Sequence, residues 1–399
     1  MTTSSLFGPT EGWSLEPVAV WLLTEGRLLT EPTALLTGLT AQLDAAGAHV
    51  DRVRLSSQTL HPQLLAWGIW WSRATGVQTW NGEHGIQLSD TYIGSPIQFV
   101  RDHKRAFRQR FDTPVSDGEH GSLRDLRAAG MTDYVALPLV FSSGTANVIT
   151  LSTAVPGGFT DPELARFDAL ANLLAPLVEN IGGRRTALGL LDTFIGPRIS
   201  QRILNGQVKR GDGERIEAAF WYSDLRGFTA LSESLPTDQL LHLLNEYFEY
   251  CAAAASARGG EILQFIGDAI LIVFEIRNPA DEAGVCESAL DAAVDAFDSI
   301  AVVNHRRRIA GQPMIEFGLG LHLGIVTHAN VGSPNRLAFN VVGPAVNMTA
   351  RIQSLAKETG VPLLLSTDFA RQVRRPLRSI GRHDLRGVAG AQEVFTIQQ

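Results

Sequence analysis

The chain of 399 residues has only 2 cysteines, Cys251 and Cys286. They make neither a metal-ligand spacing nor a disulfide framework, which excludes a zinc ribbon or a disulfide-stapled scaffold and agrees with a reducing compartment. Both read as small buried hydrophobes. Long apolar runs are also missing. None approaches the roughly 20 residues that span a bilayer, and no basic stretch followed by an apolar one opens the chain, so a cytoplasmic protein without a membrane is expected. Positive charge is in short supply as well, with 34 Lys and Arg against 41 Asp and Glu and a net charge of −7. Nothing in that balance favours a nucleic acid or an anionic membrane surface as partner, and any anionic ligand must be held locally.

Tryptophan is nearly absent from the second half. Trp13, Trp21, Trp67, Trp70, Trp71 and Trp80 all precede residue 81, and only Trp221 follows. The halves therefore read as different modules, and the length suits two domains. In the first half the leucines of TALLTGLTAQLDAAG (33–47) keep helical spacing, HVDRVRL alternates like a strand, and YVALPLVF with NVITLSTA reads as a hairpin. A helix opening at Thr160-Asp161-Pro162 is expected to run to Gly182-Gly183 and to close an α+β domain over 1–183. The aromatic stretch WGIWW (67–71) is either core or the lining of a ligand cavity. Helical pieces broken at Gly196-Pro197 and Gly206 make residues 184–212 a connector, leaving 213–399 as the second domain.

That domain reads as strand, helix, hairpin, helix, strand, strand, helix and closing hairpin, with helices on one face of a mixed sheet. Its strand AAFWYSDL (218–225) ends on Asp224, and Gly227 lets the chain turn into a helix near Thr229. The next helix takes Thr237 or Asp238 as cap. In EILQFIGDAILIVF (261–274) two apolar runs flank Gly267-Asp268, the pattern of a tight hairpin. Each aspartate alone is readily explained as a turn former. If the strand ending at Asp224 pairs with 261–266, both carboxylates reach one sheet edge, and two carboxylates without a nearby His or Cys suit Mg²⁺ or Mn²⁺. Farther on, Asn347 and Arg351 stand one helical turn apart, either as an exposed polar face or as a grip for a sugar and a phosphate.

Three segments in order, WYSDLRGFTALSE, GGEILQFIGDAILIVF and LAFNVVGPAVNMTARIQ, closely resemble the class III nucleotidyl cyclases. The resemblance implies a ferredoxin-like α+β catalytic domain working as a homodimer, with two Mg²⁺ or Mn²⁺ ions held by Asp224, Asp268 and the Leu225 carbonyl. It implies that Asn347 and Arg351 of the other protomer orient the ribose and stabilise the α-phosphate. Gly227, Phe228 and Thr229 would cradle the outer phosphates, and Arg386 stands where the family places a lysine on the triphosphate. Gln264 and Asn340 occupy the base-selecting positions. Both are amides that can satisfy either purine edge, and similar bacterial members favour ATP, making cyclic AMP the expected product. The alternatives are GTP, a pyrimidine nucleotide, or a catalytically degenerate dimeric module. Gly259-Gly260-Glu261 is similar to a diguanylate cyclase signature, but ILQF follows it. The first half resembles a GAF-type sensor domain in its order of elements, which implies an unidentified small-molecule or protein regulator.

Overall fold

The protein is described from a computed structural model, which covers residues 12–114, 118–207, 209, 211, 213–333 and 335–398. Val208, Arg210 and Asp212 of the expected connector lie outside the described residues. The chain divides into two compact units between Phe194 and Ile195. No helix among the described residues is long and apolar enough to cross a membrane.

In the first unit, α1 (Glu16–Thr24) and α2 (Pro32–Ala45) precede β1 (Arg52–Gln58), β2 (Leu64–Ser72) and β3 (Gly76–Glu83). Then come α3 (Pro96–His103), β4 (Phe107–Arg110), α4 (Gly121–Ala128), β5 (Asp133–Val140), β6 (Ala146–Thr153) and α5 (Asp161–Ile195). The strands form an antiparallel sheet in the order β3-β2-β1-β6-β5-β4. Because side chains alternate across a strand, Val53, Leu55, Trp67, Ile69, Ile149 and Leu151 enter a core with α1, α2 and α5. The alternate residues face α3 and α4, where Val100, Leu123, Leu126 and Tyr134 make a smaller cluster.

Thr160 caps α5 as expected, its amide and hydroxyl both donating to Glu163 at 2.9 Å. The helix does not stop at Gly182-Gly183 but continues to Ile195. A glycine costs a helix only about 1 kcal/mol relative to alanine. The helix-favouring RRTALGLLD that follows carries it onward until Gly196, at φ +85°, breaks it before Pro197.

The second unit contains α6 (Pro197–Leu204), β7 (Gly213–Leu225), α7 (Phe228–Ser234), α8 (Thr237–Ala257), β8 (Glu261–Ile266), β9 (Ala269–Glu275) and α9 (Glu282–Ile309). It ends with β10 (Phe317–Ser333), β11 (Arg336–Val342), α10 (Pro344–Thr359), β12 (Leu363–Ser366), α11 (Thr367–Ala370), β13 (Leu377–His383) and β14 (Gln392–Ile397). The sheet runs β13-β14-β12-β10-β7-β9-β8, with β11 paired to β10. Pro236 precedes α8, and neither Thr237 nor Asp238 caps it, since Thr237 is already its first helical residue. The closing hairpin is β13–β14, and DLRGVAG is its loop rather than its first strand.

Helices cover both faces of this sheet, not one. On one face α8 and α9 bury Leu243, Tyr247, Cys251, Cys286 and Leu290 against Ala219, Trp221, Ile270 and Ile272. On the other lies α10, and the reason is a glycine row in β10. A Cβ on Gly320 would sit 2.8 Å from the Gln353 amide nitrogen and the Thr349 carbonyl, and one on Gly318 or Gly324 would crowd Ala356 or Ala345 at 2.9 and 2.7 Å. With no Cβ in the way, α10 seats backbone to backbone on the strand. Gly320→Ala should force the helix away and cost about 1–3 kcal/mol of unfolding free energy, read from urea melts of the second unit's signal.

Two histidines on β10 are buried, and burial holds both neutral. His322, bonded to Ser366 Oγ at 2.9 Å, and His328, beside Arg198 and Arg202, are each pushed down to about 4. Between about pH 6.5 and 4 the unfolded chain therefore binds protons that the folded chain refuses, so stability rises with pH over that window. The contribution is complete above pH 6.5 and is lost on acidification toward 4, at up to roughly 3 kcal/mol for each histidine. Urea melts across pH 4–7 should show this loss, and His322→Gln should remove part of it.

Candidate active site

Asp224 and Asp268 are brought together by strand register. The strand ending at Asp224 pairs with β9 rather than with 261–266, and Asp224 stands opposite Ala269. The interior position goes to β9 because all six residues from Ala269 to Phe274 are buried, whereas β8 leaves Phe265 and Ile266 exposed. The central strand is thus the one that can lose both faces to the core. Asp268, in the turn opened by Gly267 at φ +64°, then lies one residue from Asp224's cross-strand partner.

The two carboxyls are neighbours, and Asp224 is pushed up to about 7, first by burial and then by the Asp268 charge. Leu225, whose backbone amide donates to Asp224, is buried. Among the described residues no Lys or Arg forms an ion pair with either carboxylate. A half-buried pair of like charges lacking a cation is a fit for a hard divalent ion, with oxygen donors only. Among the described residues no cluster of three or more His, Cys, Asp or Glu side chains adds to it.

The supports of this pair were not evident in the sequence. Ser223, fully buried behind Asp224, accepts from Trp221 Nε1 at 2.9 Å and from the Tyr247 hydroxyl at 2.8 Å. This fixes the strand end from the α8 side. The Arg226 amide donates to the Glu316 carbonyl at 2.7 Å, and its guanidinium to the Ala356 carbonyl at 3.0 Å. Tyr222, two residues before Asp224 on the same face, has its phenol pushed up by burial and by both aspartates. A serine set between two aromatics and an aspartate in WYSD was the available signal. Past the pair, Gly227 takes φ +70° and leads into α7, with Gly227 and Thr229 exposed and Phe228 half-buried.

The remaining expected residues gather elsewhere. Gln264, half-buried on β8, stands opposite Leu271 after an irregularity in the ladder. Asn340 stands opposite Ala329 on β11 and accepts from the Val341 amide at 2.8 Å. β11 touches β8, so the β10–β11 ribbon folds back across the sheet and Val341 packs with Phe220, Leu263 and Leu271. The two strands carrying the amides thereby meet. On α10 the residues facing the sheet include Ala345, Thr349, Gln353 and Ala356. Asn347 and Arg351 follow Ala345 and Thr349 by about 200° of helical turn, which puts them on the opposite stripe. Asn347 is exposed, and the Arg351 guanidinium lies beside Gly387, next to exposed Arg386. Among the described residues neither bonds to Asp224 or Asp268.

Residues 214–399 match the family model of the adenylate and guanylate cyclase catalytic domain, and this segment is a class III cyclase catalytic domain. The adenylate cyclase of Anabaena cylindrica is 31% identical over 187 residues, covering 46% of this chain and 36% of that protein. Adenylate cyclase 1 of Rhizobium meliloti is 25% identical over 185 residues, covering 46% and 28%. The chain thus spans about a third of the length of these curated relatives. A solved bacterial light-regulated adenylyl cyclase shares 27% identity at a TM-score of 0.41, over 46% of this chain and 91% of that one. A score of that size adds nothing to the assignment.

Removing one carboxylate relieves the repulsion, so Asp268→Asn should raise the metal-free unfolding free energy by on the order of 1 kcal/mol after solvent screening. Mn²⁺ should stabilise the unmutated protein and not this variant. Thermal unfolding with and without Mn²⁺ reads both effects.

Proposed function

We propose that the second unit converts ATP to 3′,5′-cyclic AMP and pyrophosphate at the interface of a homodimer, within a chain whose residues 1–183 form a GAF-like regulatory domain and 184–212 a helical linker. The observation that carries this reading is the carboxylate pair at the ends of β7 and β9, without a basic partner, in a domain matched over 214–399. The names of the Anabaena and Rhizobium relatives favour adenine as the base.

In this reading Asp224, Asp268 and the Leu225 carbonyl hold two Mg²⁺ or Mn²⁺ ions. When bound, the ions would lower the pKa of the ribose 3′-hydroxyl and neutralise the departing pyrophosphate. The chain's residues do the positioning. Amides of the Gly227-Phe228-Thr229 turn receive the β- and γ-phosphates, aided by Arg386. Gln264 and Asn340 pair with the base edge through amide donors and acceptors. Asn347 bonds the ribose, and Arg351 meets the charge that develops on the α-phosphate as the 3′-oxygen attacks in line and the bond to pyrophosphate breaks. No covalent enzyme intermediate is needed.

The homodimer accounts for the division of these groups. Asn347 and Arg351 stand on the stripe of α10 that turns away from its own sheet, and in this reading the Asn347 amide and the Arg351 guanidinium serve the carboxylate pair of another copy. A cytoplasmic location accords with ATP as substrate.

Three outcomes are expected. Offered ATP, GTP, CTP and UTP together with Mn²⁺, the protein should yield cyclic AMP as its main product by mass spectrometry. A cyclic dinucleotide, or no pyrophosphate from any of the four, would refute the assignment. Arg351→Ala should lower kcat by about 10²–10³-fold. Mixing it with Asp224→Ala should restore activity toward roughly a quarter of the unmutated value, because half the dimers then carry one whole site of two. Heterodimers that form yet stay inactive would rule out the shared site.

A further inference from the structure

The first unit contains a cavity of about 670 Å³ between its sheet and the segment holding α3 and α4. The size suits a small organic molecule. Its floor is the sheet face that alternates with the core. Arg52, Arg54 and Ser56 of β1 point into it, with Trp70 of β2 and Tyr134 of β5. Strand HVDRVRL therefore turns its arginines into the mouth and floor of this cavity, where both are half-buried.

Three features of that floor are unexplained by folding alone. The first is charge without a counterion. Among the described residues Arg54 and Arg101 make no hydrogen bond or ion pair, and the Nε atoms of both are buried without a partner. Their contacts are with rings, Arg54 over Trp80 at 5.4 Å and Arg101 over Tyr92 at 5.8 Å. Arg54 is pushed down by burial, and Arg101 and Arg52 push it further. Buried like charges of this kind are costly unless an anion joins them. Asp90 and Asp125 also line the cavity, but both are exposed and bond to neither arginine.

The second feature is the Ser56 hydroxyl. It is 96% buried (4% exposed), lines the cavity, and has no hydrogen-bond partner among the described residues. Polar groups buried in this way are normally satisfied, and an unsatisfied one calls for a missing partner.

The third feature is the way Trp80 is seated. A Cβ on Gly68 would stand 3.0 Å from its Cε3, and one on Gly82 would stand 2.7 Å from its Cη2. Two glycines inside strands thus let the indole rest against the sheet beside Arg54. Glycine weakens a strand, and its use there marks a close approach. Trp70, Trp80 and Tyr92 supply aromatic walls next to the cationic end.

The geometry points to this cavity as the binding site of a small ring-bearing anion, an aromatic carboxylate or phosphate, whose ring lies against Trp80 and Trp70 and whose anionic group is taken by Arg54, Arg101 and Ser56. Charge-assisted hydrogen bonds from the guanidinium groups would replace the missing counterion. Every lining residue belongs to the first unit, so binding can be read without measuring cyclase activity.

The test uses the full chain and calorimetric titration with benzoate, indole-3-carboxylate and phenyl phosphate, against benzamide, indole-3-carboxamide and phenol as neutral counterparts. Phosphate-free and carboxylate-free buffers keep the arms apart. At least one anion should bind at least tenfold more tightly than its neutral counterpart, and the better of the carboxylate and phosphate arms identifies the headgroup. Arg54→Gln and Arg101→Gln should each weaken it by about 10–100-fold, in line with the loss of a hydrogen bond to a charged group. Without ligand, Arg54→Gln should raise the unfolding temperature, since it removes an uncompensated charge; a purely structural arginine would do the reverse. If Arg54→Gln does not fold, Arg101→Gln and Ser56→Ala carry the same comparison. The proposal is overturned if no anion binds at millimolar concentration, if neutral counterparts bind equally, if folded arginine variants bind as the unmutated protein does, or if Arg54→Gln lowers the ligand-free unfolding temperature.

Discussion

The second unit depends on one unfavourable contact, the approach of the Asp224 and Asp268 carboxyls. Nothing local attracts the two groups to each other. They are held because β7 and β9 share a ladder and because the hairpin turn at Gly267 leaves Asp268 at its tip. Hydrophobic burial along β9 and the Ser223 network behind β7 fix the register. The core thus supplies the free energy that keeps the two carboxyls adjacent, and the proposed cation would recover it.

A matching arrangement in the first unit has the opposite sign. Arg52, Arg54 and Arg101 converge on a cavity where, among the described residues, none of them forms an ion pair; Arg54 and Arg101 are held there by aromatic contacts. In both units the residues least favourable to the ligand-free fold are the ones to which the proposals above assign a ligand of opposite charge.

How much of this was legible in the sequence differs from element to element. Hairpin 261–274 and strand 218–225 were readable, because each has a local signal in alternation or a glycine turn. The partner of β7 was not readable. Both hairpin strands are apolar, and only the fully buried run from Ala269 to Phe274 shows which one is interior. The face on which α10 lies was not readable either, since it depends on which helix packs against the β10 glycines. Gly182-Gly183 read as a stop, yet the helix formers beyond outweighed it. At the candidate site the chemistry-bearing side chains were visible through their order along the chain, whereas Ser223 and Tyr247 were hidden, since a serine acquires a role only through what tertiary packing places against it. WGIWW was ambiguous because it is both things: Trp67 and Ile69 belong to the core, and Trp70 lines the cavity.

The seating of α10 on the β10 glycines also bears on how the second unit can move. Where a helix rests on side chains, repacked rotamers let it slide or tilt by small steps. Here amide and carbonyl atoms of the helix meet the strand with no compressible layer between them. Such a joint transmits displacement without slack, so α10 and β10 travel as one lever. A displacement that reaches any part of this pair arrives undiminished at Asn347 and Arg351, and turns the outward stripe of the helix by the same angle.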